Sequence, residues 1–206
     1  MDPRYGTAPG LVLALYVLYL LLAFGLRTIA HYRETGSSGF VGMPRNGPLA
    51  ERIGGLLFVA ALVLGLLSPL LELAGWTRAA QRFTLPVPGL ALYAAGLAGT
   101  LAAQFQMGTS WRIGVDPAAR TELVHRGLFL WVRNPIFTFM FAIALGLLLL
   151  LPNWPALLAV VSLATGLELQ VRWVEEPYLL ANHGEAYRRY AARVGRFVPG
   201  LGRLRA

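Results

Sequence analysis

The chain contains neither cysteine nor lysine among its 206 residues. Without cysteine it can form no disulfide, no thiolate metal site and no thiol nucleophile. Without lysine it has no amine for Schiff-base chemistry and no lysine general base. All 18 basic residues are therefore arginines, whose guanidinium groups stay protonated and bind carboxylates well.

Charged residues are scarce at 14%, whereas 56% of residues are hydrophobic and the mean hydropathy is +0.57. A chain this apolar has lipid as its main solvent, which predicts an all-α integral membrane protein. The isoelectric point near 10.6 does not predict nucleic-acid binding, because basic loops beside a membrane explain it. We expect no metal, since the three histidines are scattered without ligand spacing. They are His31, His125 and His183.

Apolar stretches of about 20 residues predict five transmembrane helices in one membrane domain over residues 1–206. The first stretch lacks the short apolar core and small-residue cleavage site of a signal peptide, so we expect it to be retained. On the third stretch, small residues repeat every four positions and predict close helix packing, within one protomer or between protomers. The spans are residues 11–30, 53–73, 87–107, 134–151 and 155–174, and the small residues are Ala91, Ala95, Gly99 and Ala103.

The arginines are divided unevenly between alternate connecting segments, and cytoplasmic loops carry the positive excess. Only Arg4, Arg78 and Arg82 fall on one side of the five spans, and all the other arginines fall on the opposite side. We therefore expect an external N-terminus and a cytoplasmic C-terminus.

The fourth and fifth spans form a short hairpin, because residues 134–167 are too few for two full crossings of about 20 residues each. At 100° per residue, Glu168, Arg172 and Glu175 fall within about 60° of one another on a helix. This polar stripe is either an ion pair that lets the helix end dip into the headgroups or the wall of a cavity. As a cavity wall, it makes Glu168 and Arg172, together with Arg133, candidate catalytic residues.

The fourth span begins at Arg133-Asn134-Pro135, where Pro135 suits the first helical position and Asn134 is predicted to cap the helix. Such a helix start, with the charge of Arg133 beside it, suits an anionic group. Upstream, Trp111 and Arg112 are either contacts for the substrate or an interfacial anchor of a common kind.

Two motifs in this order resemble the isoprenylcysteine carboxyl methyltransferase family of membrane enzymes. The family pattern is Arg-His-Pro-x-Tyr, a helical hairpin, then Glu-Glu-x-x-Leu, an aromatic-Gly pair and two further aromatic residues. Here the corresponding residues are Arg133-Asn134-Pro135 and Glu175-Glu176, followed by Gly184, Tyr187 and Tyr190, and the resemblance covers residues 110–199. Asn134 and Phe137 depart from the family, which has histidine and tyrosine there, and His183 replaces an aromatic residue.

The resemblance implies an S-adenosylmethionine-dependent methyltransferase that releases S-adenosylhomocysteine. Its cofactor region would be C-terminal and cytoplasmic, and its acceptor would be a lipophilic small molecule reached through membrane lipid, such as an isoprenylcysteine carboxylate or another isoprenoid. The acceptor and the oligomeric state stay open. The cofactor-binding residues implied are Arg133, Asn134, Pro135, Glu175, Glu176, Tyr187 and Tyr190.

Two other functional classes stay open at this point. The C-terminal hairpin of this chain also resembles that of membrane sterol reductases, which would use NADPH. No dinucleotide-binding glycine fingerprint is present in the sequence. A non-enzymatic helper or small transporter could use the polar stripe for docking or permeation. The tail from Tyr187 has the pattern of an amphipathic interfacial helix, with Tyr190, Val194, Phe197 and Leu201 on one side, so the alternative role of Tyr187 and Tyr190 is contact with the membrane in place of a cofactor.

Overall fold

A computed structural model of the chain describes residues 9–42, 48–114 and 122–204. Arg4, Arg45, Arg120 and Arg205, which contribute to the orientation argument, lie outside these ranges. The described residues form helices and short turns, with two isolated β-bridges. The helices are α1 Pro9–Leu20, α2 Arg27–Thr35, α3 Leu49–Leu73, α4 Pro86–Met107, α5 Pro135–Leu150, α6 Trp154–Gln170 and α7 Glu176–Arg193, with π-helical turns Leu21–Leu26 between α1 and α2 and Val171–Glu175 between α6 and α7.

Within the described ranges, four helical segments are long and apolar enough to cross a membrane, so the expected all-α, multi-pass membrane fold is confirmed at this level. α5 is apolar but has only 16 residues, about 24 Å of helix against a hydrocarbon core of about 30 Å. The fifth crossing therefore stays a prediction. The four segments are Pro9–Thr35, Leu49–Leu73, Pro86–Ser110 and Trp154–Arg193.

The helices pack closely in two pairs, α3 with α6 and α4 with α5, and glycines lie at both contacts. A Cβ on Gly54 would lie 3.2 Å from the carbonyl oxygen of Gly166, and a Cβ on Gly146 would lie 2.7 Å from that of Gly89. Small residues let the two backbones approach closely. In lipid the hydrophobic effect contributes little to helix association, so helices associate through close packing of this kind.

The expected small-residue row on α4 packs within the chain only in its second half, at Gly99 and Ala103, since Ala91 and Ala95 are exposed; for these two, packing between protomers stays a prediction. A spacing of exactly four residues drifts about 40° per step around a helix with 3.6 residues per turn. The row that is buried alternates spacings of three and four and includes larger residues. Its members are Gly89, Tyr93, Gly96, Thr100 and Ala103.

Tyrosines of the membrane helices direct their hydroxyl groups to backbone carbonyls on neighbouring helices. The hydroxyl of Tyr16 on α1 donates to the carbonyl of Leu62 on α3 at 2.6 Å, and that of Tyr93 on α4 donates to Leu15 at 2.7 Å. In lipid a hydroxyl has no water to bond, so these contacts satisfy the polar group while the ring fills the core.

At the end of the bundle where α5 turns into α6, a buried asparagine connects three segments. Asn153 accepts a hydrogen bond from the Ser68 hydroxyl at 2.8 Å and caps α6 by accepting from the amide of Ala156 at 3.1 Å. Its amide group donates to the Ser68 carbonyl at 3.1 Å and to Glu72 at 3.3 Å. One side chain therefore ties the α5–α6 turn to α3.

We expect Asn153→Ala to lower the thermal unfolding temperature of the purified protein measurably, because it leaves buried partners unsatisfied at a cost of about 1–3 kcal/mol. Asn182→Ala is the matched control, since Asn182 is exposed on α7. Equal unfolding temperatures for the two variants would contradict the assigned role of Asn153.

Candidate functional site

A cavity of about 640 Å³ lies among the helices and is enclosed partly by the segment after α4. Its inner end is apolar and is lined by Phe58 and Leu62 of α3 and Met140 of α5; we call this end the acceptor chamber. Its outer end is lined by Arg112, Glu175 and aromatic side chains of α7; we call this the polar end. The volume is within the usual range for small-molecule sites.

The structure brings most of the residues that the sequence suggested to this one cavity. Both motifs contribute, although they lie on opposite sides of the α5–α6 hairpin. Three of the suggested residues, Glu168, Arg172 and Glu176, are absent from its wall. The residues that line it are Trp111, Arg112, Arg133, Asn134, Pro135, Glu175, Tyr187 and Tyr190.

The π-helical turn Val171–Glu175 explains why Glu175 lines the cavity whereas Glu168 and Arg172 do not. In a continuous α-helix Glu168 and Glu175 would share a face, and Gln170 would be opposite. Here Gln170 and Glu175 line the cavity together, five residues apart, as in the i→i+5 repeat of a π-helix. Glu168 and Arg172 form an exposed i,i+4 ion pair. The expected single stripe therefore holds for that pair alone.

Arg133 connects both ends of α7 and the C-terminal segment. One guanidinium nitrogen donates to the carbonyls of Ala191, at 3.1 Å, and Val194. The other donates to Gly202, at 3.1 Å, and forms an ion pair with Glu176. The side chain is only 1% exposed. These contacts occupy both terminal nitrogens of Arg133 and make it a structural element of the polar end.

Glu176 is held by a second arginine as well as by Arg133. Both oxygens of Glu176 accept from Arg196, at 2.9 and 2.8 Å, in a bidentate pair. These hydrogen bonds raise the pKa of Arg196 above its ordinary value. Arg196 also donates to Glu168 at 3.3 Å, so the exposed ion pair is joined to the buried one.

Glu175 differs sharply from its neighbour. Among the residues the structure describes, its carboxylate has no side-chain hydrogen bond, and it lines the polar end of the cavity. Adjacent glutamates thus have different surroundings, because Glu176 is engaged by two arginines and Glu175 is available to a ligand. The same described ranges contain no group of three side chains placed to hold a metal ion.

Asn134 begins α5 but does not cap it with its side chain. Its side-chain amide and its backbone amide both donate to the carbonyl of Arg196, at 3.2 and 3.1 Å. One turn later, the Thr138 hydroxyl donates to the carbonyl of Phe197 at 2.8 Å. The expected cap is replaced by contacts to the C-terminal segment, since an asparagine amide can donate to a carbonyl.

α7 is bent at Gly184, whose φ of 51° is a conformation that favours glycine. Beyond the bend, Tyr187 and Tyr190 line the cavity, and their ring centroids lie 6.1 Å apart in an edge-to-face contact. The Tyr190 hydroxyl donates to the carbonyl of Phe129 at 2.6 Å. The helix ends at Arg193, so only the first part of the expected amphipathic tail is helical, and the residues after it form turns.

Arg27 is a site-supporting residue that the sequence analysis missed. Its guanidinium lies 4.9 Å from the centre of the Trp111 ring and donates to the carbonyl of Gly108 at 2.6 Å. His31 contacts the same ring edge-to-face at 5.5 Å. Gly39 completes the packing, since a Cβ there would lie 2.9 Å from Trp111. A buried charge in an apolar stretch was the available signal.

Among the polar residues of the cavity wall that were also missed are Glu51, Gln104 and Gln170. Glu51 is buried in the first turn of α3, where a carboxylate suits the helix dipole and needs no functional explanation. The two glutamines lie within or beside apolar helices, and uncharged amides give a weaker sequence signal than ions do. Only the fold shows that all three face one space.

Residues 85–186 match the model of the phospholipid methyltransferase family, PEMT. The fold is similar to a structure of the eukaryotic intramembrane Ras methyltransferase ICMT (isoprenylcysteine carboxyl methyltransferase), with a TM-score of 0.52 and 22% identity over 96% of this chain and 75% of that one. No curated protein matches the sequence.

Both comparisons agree with the resemblance seen in the two sequence motifs. Almost half of the chain matches the model of a methyltransferase family, and the overall fold is similar to that of an intramembrane methyltransferase.

We expect Arg133→Ala to destabilise the fold, because breaking a buried ion pair by removing one partner costs about 3–5 kcal/mol. The readout is the thermal unfolding temperature in detergent. Arg188→Ala is the control, since the Arg188–Glu185 pair is exposed and contributes little. An unfolding temperature for Arg133→Ala as high as that for Arg188→Ala would contradict the structural role of Arg133.

Proposed function

We propose that the protein transfers a methyl group from S-adenosylmethionine to a lipophilic acceptor. The observation that carries the proposal is the single cavity with two chemically different ends, one polar and one apolar. A cofactor with charged groups suits the first and a hydrocarbon acceptor suits the second. The acceptor could be an isoprenylcysteine carboxylate or another small isoprenoid or lipid.

At the polar end, Glu175 is proposed to bind a positively charged part of the cofactor, either its ammonium or its sulfonium. A charge-assisted hydrogen bond from an available carboxylate suits the ammonium. Arg112 also lines this end and suits the cofactor carboxylate. Arg133 and Glu176, which the resemblance implied as cofactor-binding, are proposed here to fix the shape of the polar end, since they are paired with each other.

Asn134, Pro135, Tyr187 and Tyr190 are proposed to enclose the cofactor. Tyr187 and Tyr190 present aromatic surface, which favours a sulfonium or an adenine ring by cation–π or stacking contact. Trp111 forms part of the same wall, held from behind by Arg27. The segment from Trp111 to Arg112 is thus proposed to lie between cofactor and acceptor.

The bound cofactor would supply a methyl carbon on sulfur, which the acceptor attacks in line as the carbon–sulfur bond breaks and S-adenosylhomocysteine forms. Such a displacement needs little covalent help, so the protein contributes mainly by holding the two reactants in line and by excluding water. A carboxylate acceptor needs no base, whereas an amine or thiol must lose its proton. Among the carboxylates that line the cavity, which also include Glu51 and Glu122, Glu175 is the one proposed to accept it.

Glu168 and Arg172, suggested as catalytic residues by their spacing, lie on the exposed side of α6 and the π turn. A direct catalytic role for either residue would require the substrate to reach this exposed side of the helix. The geometry favours Glu175 for contact with reactants, and Glu168 therefore provides a matched control for it.

We expect the purified protein to bind S-adenosylmethionine or S-adenosylhomocysteine in calorimetry and not to bind NADPH. Glu175→Gln should weaken cofactor binding about tenfold or more, because a charge-assisted hydrogen bond contributes about 1.5–3 kcal/mol. Glu168→Gln should change it little.

Each other outcome has a definite meaning. NADPH binding in place of the methyl donor would support the reductase alternative. Binding of neither ligand by folded protein would remove both enzymatic proposals and favour a helper or transporter. Equal effects of Glu175→Gln and Glu168→Gln would remove Glu175 from the cofactor site.

We also propose that the polar end of the cavity opens to the cytoplasm, with five crossings and an external N-terminus. The support is that Arg27, Arg112 and Arg133 all lie at this end, which is the arginine-rich side. α5 would complete its short crossing enclosed between α4 and α6.

The absence of cysteine allows a direct test of this topology. We expect a membrane-impermeant maleimide added outside intact cells to label Gln81→Cys but neither Glu34→Cys nor Arg189→Cys, since all three positions are exposed. The cysteine-free parent is the blank, and permeabilised cells should show all three labelled. External labelling of Glu34→Cys or Arg189→Cys would reject the proposed orientation.

A further inference from the structure

The acceptor chamber ends at two side chains that also line a second, smaller cavity. Leu62 of α3 and Met140 of α5 line both the 640 Å³ cavity and a neighbouring cavity of about 40 Å³. These two side chains are therefore the partition between the two spaces; we call them the chamber floor. The smaller cavity continues past them along the bundle towards Gly65 and Ser68.

The floor is fixed from both sides. The carbonyl of Leu62 accepts a hydrogen bond from the buried Tyr16 hydroxyl at 2.6 Å, which anchors this turn of α3 to α1. The Tyr16 ring lies so close to Gly65 that a Cβ there would approach it to 2.7 Å. Met140 is 5% exposed and belongs to the same buried cluster as Tyr16. A close-packed partition of this kind does not yield freely to a longer ligand.

The chamber has a measurable depth along α3. Its wall on this helix runs from Glu51 near the polar end to Leu62 at the floor, about 16 Å at 1.5 Å per residue. One more helical turn beyond Leu62 would add about 5 Å. The two side chains that form the chamber floor decide whether a ligand can occupy this additional length.

We infer that Leu62 and Met140 set the length of hydrocarbon tail that the acceptor chamber admits, and thus select among acceptors by tail length. This inference depends on the proposed function, because the occupant of the chamber is the tail of the methyl acceptor. Truncating the floor joins the two cavities and lengthens the chamber, whereas enlarging Leu62 shortens it. Selection by fit is effective here, because one methylene in an apolar pocket changes discrimination severalfold or more.

Three prenyl alcohols of increasing length are suitable probes, because their binding can be measured without the cofactor. They are geraniol, farnesol and geranylgeraniol. The protein is placed in lipid nanodiscs, and each alcohol is added at equal mole fraction in the lipid, which removes differences in partitioning. A ligand that binds only the folded protein stabilises it by RT ln(1 + [L]/Kd), so the rise in unfolding temperature at equal mole fraction reports relative affinity.

In the Leu62→Ala/Met140→Ala variant, we expect the ratio of affinities for geranylgeraniol over farnesol to rise about tenfold relative to the unmodified protein. Leu62→Phe should move the preference towards geraniol, and it tests the inference independently if the double variant does not fold. Leu56→Ala is the matched control, because it removes the same atoms from an exposed position on α3.

The inference would be overturned if the folded double variant had the same ratio of affinities for geranylgeraniol and farnesol as the unmodified protein. The same conclusion would follow if Leu62→Phe had the same length preference as Leu56→Ala, or if the unmodified protein bound none of the three alcohols. Methyl-donor binding is measured separately by calorimetry. Loss of donor binding with length-dependent alcohol binding intact would reject the methyltransferase proposal alone, whereas donor binding without length dependence would reject the floor alone.

Discussion

The buried ion cluster of Arg133, Glu176 and Arg196 is the interaction on which the shape of the polar end depends. Arg133 precedes α5, Glu176 begins α7 and Arg196 follows α7, so one cluster joins three places far apart in the sequence. Removing such charges from water is costly and is offset only when nearly every donor has an acceptor. Arg133 meets this condition by adding three backbone carbonyls to its ion pair.

The cluster also explains why adjacent glutamates have different surroundings. Once Glu176 is bound by two arginines, the helix register beside it is fixed. The π turn immediately before it then directs Glu175 into the cavity, alongside Gln170. A π turn sacrifices regular hydrogen bonding and is found mostly where a helix must present a side chain in a particular direction. In this chain it separates a structural carboxylate from one available to ligand.

Sequence reasoning located the helices and the two motifs well, because apolar length and charged positions are local properties. The apolar stretches coincide closely with α3, α4, α5 and α6. Reasoning from ideal periodicity was less reliable. A perfect α-helix was assumed across Glu168 to Glu175, and a π turn changed which residues share a face. Likewise, a strict repeat of four selected Ala91 and Ala95, whereas Gly89 and Gly96 make the close contact within the chain.

Contacts between distant segments could not be predicted in this way. Nothing local to Arg133 indicates that its partners are carbonyls of the C-terminal segment, or that Asn134 donates to Arg196 instead of capping its own helix. The burial of Arg27 against Trp111 is of the same kind. Each depends on tertiary packing, which brings a donor and an acceptor together after the helices have associated.

The two ends of the cavity come from different parts of the chain. Glu175 and the residues around Arg133 lie within the region that matches the phospholipid methyltransferase family, residues 85–186. Phe58 and Leu62, which line the acceptor chamber, lie on α3 outside it, whereas Met140 of the same chamber lies within it. If the methyl donor binds at the polar end as proposed, the chemistry that the family shares belongs to the matched region. Selection of the acceptor then depends in part on a helix that can vary in sequence without disturbing the ion cluster, since no residue of α3 contributes to that cluster among those described.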